Sequence, residues 1–178
     1  MQNERKVVLF IATSLDGYIA TKEESLEWLF EVEGEGDNGI AAFYDTTDTV
    51  IMGRKTYDWI KEQDDSADEP YSDRLSYVFT RTPRENSGHT QFITEDPASF
   101  VKQLKQEEGQ KIWLVGGGEL IASFIQAGLL DEIIVTIAPK LIGAGIPLFL
   151  QRDSQMNLRL RGVQTFNQFV ELHYHVEH

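Results

Sequence analysis

Val50-Ile51-Met52-Gly53-Arg54-Lys55-Thr56-Tyr57 and Ile112-Trp113-Leu114-Val115-Gly116-Gly117-Gly118-Glu119 decide how this chain folds. Each reads as a short buried strand that ends on glycine and runs directly into a helix. Such a junction aims free backbone N–H groups and the positive end of a helix dipole at the space beyond the strand, which suits a phosphate. The two glycine junctions lie 63 residues apart, and Arg54 and Lys55 follow the first. Together they point to a ligand with more than one phosphate, such as a dinucleotide. Three adjacent glycines cost about 1 kcal/mol each relative to alanine within an element. Close approach of a ligand to the backbone explains them better than a turn does. Neither a G-x-G-x-x-G after the first strand nor a Gly-Lys-Ser/Thr loop is present.

Outward from these junctions, strands and helices alternate. Residues 6–13 form a continuous apolar run, read as a central strand buried on both faces. Residues 14–17 make a turn and 18–20 resume an extended path. Residues 25–32 read as a short helix with Leu26, Leu29 and Phe30 inward, 34–39 as a glycine-rich break, and 40–45 as a second short helix. A strand over 49–52 leads into a helix over 54–63, with Tyr57 and Ile60 on one side. Strands follow at 76–80 and 91–94. Asp96-Pro97 opens a helix with an acidic cap and proline at its first position, running to about Glu107 before Gly109. The strand 111–115, the helix 119–127 stopped by Gly128 and the strand 132–138 come next. A glycine-rich loop over 143–147 then leads to an antiparallel hairpin, 157–164 and 169–176, joined through Asn167-Gln168. The pattern predicts one three-layer α/β domain spanning 1–178, with a mostly parallel sheet and an antiparallel carboxyl-terminal edge.

Composition narrows the function. A length of 178 residues suffices for one sizeable core, and 41% hydrophobic residues is ordinary for a globular protein. No apolar run approaches the roughly 20 residues of a membrane span. Met1-Gln2-Asn3-Glu4-Arg5-Lys6 lacks a signal-peptide pattern, and cysteine is absent, so a cytoplasmic location is expected. A net charge of −13 argues against nucleic acid as a partner. The same charge requires the few cations to be gathered at any phosphate. Seven acids between Glu23 and Asp37 and six between Glu62 and Asp73 read as solvated surface.

The order Ala12…Gly17…Met52-Gly53-Arg54-Lys55-Thr56…Phe79-Thr80-Arg81…Val115-Gly116-Gly117-Gly118-Glu119 resembles the dihydrofolate reductase fold. Gly128-Leu129-Leu130-Asp131-Glu132 and Pro139-Lys140-Leu141-Ile142-Gly143-Ala144-Gly145-Ile146-Pro147-Leu148-Phe149 are closer to the reductase domain of bifunctional riboflavin-biosynthesis enzymes and its stand-alone bacterial relatives. The resemblance runs from about Lys6 to Tyr174. It implies an NADPH site. Gly53, Arg54, Lys55 and Thr56 would meet the pyrophosphate and adenosine phosphate, and Thr80 and Arg81 the 2′-phosphate. Val115, Gly116, Gly117 and Gly118, closed by Glu119, would lie along the pyrophosphate and nicotinamide ribose, with a cis Gly116–Gly117 peptide. Ala12 and Ile19 would hold the nicotinamide carboxamide through their backbone. Such relatives often form homodimers.

The resemblance leaves the substrate side open. Aligning on Phe43 puts Gly39 where the fold usually carries its substrate carboxylate. Asp37, two residues upstream, becomes the candidate catalytic acid, with Glu27 and Asp16 as further carboxylates. Thr136 matches the strand threonine that backs the pterin site. Trp28, Phe43, Tyr44 and Trp59 could line a flat pocket or belong to the core. His173 and His175 share one face of the last strand, an arrangement that can bind metal but here reads as strand surface, so no metal is expected. Two functions remain: an NADPH-dependent reductase of a small heteroaromatic or carbonyl compound, such as a pterin or an aminopyrimidine nucleotide, and a nucleotide-binding protein without turnover.

Overall fold

Val7, Val8 and Leu9 are wholly shielded from solvent, because the strand they begin, β1 (Val7–Ser14), is flanked on both sides and covered on both faces. The computed structural model describes residues 4–64 and 69–178. Residues 1–3 and 65–68 lie outside the described residues, so the amino-terminal reading and the middle of the second acidic run are in part untouched by it. In chain order the other elements are β2 (Tyr18–Ala20), α1 (Glu27–Phe30), α2 (Ile40–Tyr44), β3 (Thr47–Gly53), α3 (Arg54–Gln63), β4 (Leu75–Phe79), β5 (Thr90–Ile93), α4 (Pro97–Leu104), β6 (Lys111–Gly116), α5 (Gly118–Gln126), β7 (Glu132–Ala138), β8 (Ile146–Pro147), β9 (Asn157–Phe166) and β10 (Phe169–Glu177).

Eight strands form one sheet in the order β5-β4-β3-β6-β1-β7-β10-β9. The first six are parallel, and β10 and β9 add an antiparallel edge. The apolar alternation of each strand feeds both faces. Leu9, Ile51, Leu114 and Val135 pack with Val101 of α4 and Ile121 and Phe124 of α5. On the other face Val8, Val50, Met52 and Ile134 pack with Phe43 of α2 and Tyr57 of α3. Trp28 of α1 meets Ala138 and Phe169 on that second face. Each such side chain contributes about 1.5–3 kcal/mol by leaving water. No helix among the described residues is long and apolar enough to cross a membrane.

Local signals set the boundaries. Gly128, at φ +66°, ends α5 through two hydrogen bonds: its N–H donates to the Ile125 carbonyl and that of Leu129 to the Phe124 carbonyl. This left-handed cap turns Leu129 and Leu130 into the core. The helix after Asp96 closes at Leu104, short of Glu107, and the Arg5 N–H takes the Lys105 carbonyl. Phe30 faces solvent, contrary to the inward placement expected. The helix carrying it is a single turn, too short to sustain an apolar stripe, and Trp28 is buried instead. A two-stranded sheet of β2 and β8 was not legible in the sequence; it folds the glycine-rich loop against β2. A Cβ on Gly145 would collide with the Ala20 carbonyl, so that packing requires glycine.

Charges at the amino ends of the parallel strands are paired. Glu132 accepts from Lys6 (3.1 Å) and Lys111 (3.3 Å) and faces His173 Nε2 at 3.0 Å. Asp131 accepts from the Val7 N–H (2.7 Å) and Lys105 (2.9 Å), and Arg5 pairs with Asp48. Burial pushes the Glu132 carboxyl up, but Lys6, Lys111 and His173 outweigh it and hold it below its ordinary 4.5. A carboxyl whose folded value is depressed stabilises the fold above its unfolded value and loses that contribution as pH falls through the folded one. Glu132→Gln should therefore lower stability at pH 7 by about 2 kcal/mol, less than a fully buried pair because Lys6 reaches solvent. The gap to the parent should close as pH falls below 4.5. Urea denaturation at neutral and acid pH measures both.

Candidate functional site

The central strand opens where its neighbours end. Beyond the shielded Val7 to Leu9, the next three residues of β1, Phe10, Ile11 and Ala12, are partly exposed. The carboxyl ends of β4, β3, β6 and β1 lie side by side. In open α/β sheets that edge is where ligands bind, since helix amino termini and loops converge there.

The two glycine junctions meet at this edge. Met52 pairs with Gly116 across β3 and β6, with a register irregularity at that step. The Gly116–Gly117 peptide is cis, as the resemblance implied, and Gly116 lies at φ +140°. A Cβ on Gly53 would lie 3.9 Å from the Gly117 nitrogen and 4.0 Å from the Gly116 oxygen, and one on Gly117 3.4 Å from Thr56 Oγ1. Gly53 itself is extended, at φ −77° and ψ 158°, so any residue could adopt its backbone. Its missing side chain leaves room beside the Gly116–Gly117 peptide. No side chain caps α3 or α5, whereas Asp96 caps α4 by accepting from the Ser99 N–H at 2.9 Å. Both crevice helices thus keep free N–H groups at their first turns.

Cations gather around these termini. The Thr80 hydroxyl donates to the Thr82 carbonyl (3.0 Å) and accepts from the Thr82 N–H (3.2 Å). Thr80 therefore shapes the turn that presents Arg81. The Arg81 side chain is 97% exposed and lies 4.0 Å from Glu119 across the end of β3. Arg54 pairs with Asp58 at 3.3 Å, and Lys55 is exposed. Arg84, which sequence reasoning missed, also donates to Asp58 (3.1 Å), with its guanidinium 4.9 Å from the Phe92 ring centre. Four cations thus stand against two carboxylates in a strongly acidic chain.

On the other side of the crevice, β2 folds back over β1, and the Thr13 hydroxyl donates to the Tyr18 carbonyl (3.1 Å). Ile19 packs against the larger core cluster, and Ala12 lies in the open part of β1. Asp16 accepts from Ser14 Oγ (2.6 Å) and from the N–H groups of Ile142 (3.2 Å) and Gly143 (2.8 Å). The Ser14 hydroxyl, ahead of those two amides, holds its carboxyl below the usual range. Asp16 is a clasp between loops.

The expected acids and rings sort differently. Asp37 is exposed and accepts from the N–H groups of Gly39 (3.0 Å) and Ala41 (2.7 Å), so both its oxygens cap α2. Trp28 is buried against Ala138 and Phe169, and its indole N–H donates to the Ser25 carbonyl (3.2 Å). Phe43 stacks on Phe10, centroids 4.1 Å apart and 5° from parallel. Tyr44 donates to Asp73, and Trp59 lies half-buried on α3. Thr136 is buried on β7, directly between Ala12 of β1 and Glu171 of β10. Its hydroxyl donates to Glu171 Oε2 at 3.4 Å. Burial pushes the Glu171 carboxyl above its ordinary value, against the opposing influence of Thr136 and His173. Sequence reasoning passed over Glu171. The alternation of the last strand was visible, but the register that sets this residue beside Thr136 was not. A separate open hollow, lined by Arg159, Arg161 and His175 among others, lies on the hairpin near the amino-end charge network.

The model of the RibD C-terminal domain family matches residues 5–172. The uncharacterized protein YwjB of Bacillus subtilis (strain 168) is 48% identical over 172 residues, 96% of this chain and 98% of that protein. A crystal structure from Shewanella sp. PV-4, of a protein ascribed to riboflavin biosynthesis, superposes with a TM-score of 0.86 at 29% identity. That match covers 97% of this chain and 99% of the other. The fold also matches that of dihydrofolate reductase from Enterococcus faecalis, a structure complexed with NADP(H), with a TM-score of 0.64 at 14% identity over 97% of each chain.

The fold asks different things of Gly116 and Gly53. Gly116→Ala places a side chain in a positive-φ conformation and should lower stability by about 1–3 kcal/mol. Gly53→Ala meets neither strain nor crowding and should stay within about 0.5 kcal/mol of the parent. Chemical denaturation of both variants measures the difference.

Proposed function

The chain belongs to the RibD C-terminal domain family, and from that premise we propose that it is an NADPH-dependent reductase of a small planar heteroaromatic or carbonyl compound, pterin-like or aminopyrimidine-like. The observation that carries this reading is the meeting of two uncapped helix amino termini at Gly53 and Gly117, with Arg54, Lys55 and Arg81 beside them. The groups present suit the cofactor. Free N–H groups and guanidinium forks bind phosphate oxygens, and the space at Gly53 lets a pyrophosphate approach the backbone. When bound there, NADPH would supply a hydride.

The protein's own residues would do the rest. Gly53 to Thr56 and Gly116 to Gly118 would grip the pyrophosphate, and Arg81 would read the 2′-phosphate. Ala12 and Ile19 would orient the carboxamide through their backbone, and the stacked Phe10–Phe43 pair would offer a flat apolar wall. The reduced substrate also needs one proton, from a side chain or from water. A second reading, nucleotide binding without turnover, draws on Asp37, whose oxygens are both engaged in capping α2. The exposed Leu158, Leu160 and Val163 on the edge strand β9 support the expected homodimer.

Calorimetric titration tests the cofactor assignment. The parent should bind NADPH more tightly than NADH. Arg81→Ala should weaken NADPH about tenfold, close to 1.4 kcal/mol, and leave NADH within about twofold. Equal affinity for the two nucleotides, or a matched loss of both in the variant, would overturn it.

A further inference from the structure

Glu171 is a half-buried carboxylate whose placement neither the cofactor nor the fold explains. It sits on the rung Ala12–Thr136–Glu171, on the sheet face that carries α1, α2 and α3. On one side of the rung, Ile134 packs in the cluster of Phe43 and α2. On the other, Ala138 and Phe169 pack beneath Trp28 of α1. The rung lies between the two helices, next to the open stretch of β1 at Phe10 and Ala12.

The chemistry of Glu171 is unmet there. Among the described residues it forms no ion pair, and its one hydrogen bond, from Thr136, is long at 3.4 Å. Nearby acids on the same sheet, such as Glu132, are matched with lysines. His173, two residues along β10, is engaged with Glu132. An acid desolvated without a cation lowers stability, and such groups gather where a ligand completes them. Burial holds its carboxyl above the ordinary value, as expected for an anion awaiting donors.

Resting on the reductase reading above, we propose that Glu171 is the carboxylate that holds the substrate ring. Its partner is a ring edge bearing an N–H beside an amino group, as in a 2-amino-4-oxopyrimidine or a 2-aminopyrimidine protonated on its ring nitrogen. Two parallel donors match the two oxygens of a carboxylate, and a planar ring would stack on the aromatic side chains of this face, Phe10 and Phe43. The Thr136 hydroxyl, opposite on the same rung, positions the carboxylate. Asp37, capping its own helix, is not needed for this role.

The test uses 2,4-diaminopyrimidine as the probe, in its ring-protonated form at slightly acid pH, titrated calorimetrically into the NADPH-loaded protein. Glu171→Gln should weaken the probe by about tenfold or more, while NADPH binding to the variant stays within about twofold of the parent. Thr136→Val should give a smaller loss of the same kind. The thermal midpoint of Glu171→Gln should equal or exceed that of the parent, because an unpaired buried charge has been removed. Probe affinity equal in parent and variant, no probe binding by the parent, or a lower thermal midpoint in the variant would each overturn the assignment. Failure of NADPH itself to bind would instead strike at the reductase reading, which separates the two.

Discussion

Parallel pairing of β1 between β6 and β7 is the constraint on which the rest of the molecule depends. Successive parallel strands ending at one edge must be joined by crossovers, and the crossovers here place helices on both faces. The same alignment brings the ends of β4, β3, β6 and β1 into line, with the first turns of α3 and α5 beyond them. The crevice is thus a consequence of strand direction before it is a consequence of any side chain.

The two ends of the sheet are finished in opposite ways. At the amino ends, Glu132, Asp131 and Arg5 tie strand starts together through ion pairs and backbone N–H groups. At the carboxyl ends, α3 and α5 begin without side-chain caps. Asp58 and Glu119 stand close to Arg54, Arg84 and Arg81. In a chain of net charge −13, these carboxylates hold exposed arginines in place without neutralising the whole cluster. Such exposed pairs are weak and readily exchanged for a phosphate.

Much of this was legible in the chain itself. The helix over 54–63 and the strand over 132–138 are legible with their observed bounds, because glycine and apolar runs punctuate them sharply. The cofactor candidates Gly53, Gly116, Gly117 and Gly118 carry a local signal, since glycine at a strand end speaks for close backbone approach. Phe30 misled because one turn of helix has no periodicity to read. Asp37 looked free in sequence because a cap onto Gly39 and Ala41 shows only in coordinates.

The sequence by itself determined the alternation of elements, the parallel core and the paired glycine junctions, because each is written in residues a few positions apart. Tertiary structure alone decided which side chains share a rung. The pairing of β10 with β7 brings Glu171 to Thr136, 35 positions away in the chain. The β2–β8 pairing likewise joins Ala20 to Ile146. Strand register is a property of two segments at once, and a one-residue slip would turn Glu171 to the opposite face. The paired glycine junctions could therefore be read along the chain, whereas the carboxylate beside them emerged only across the sheet.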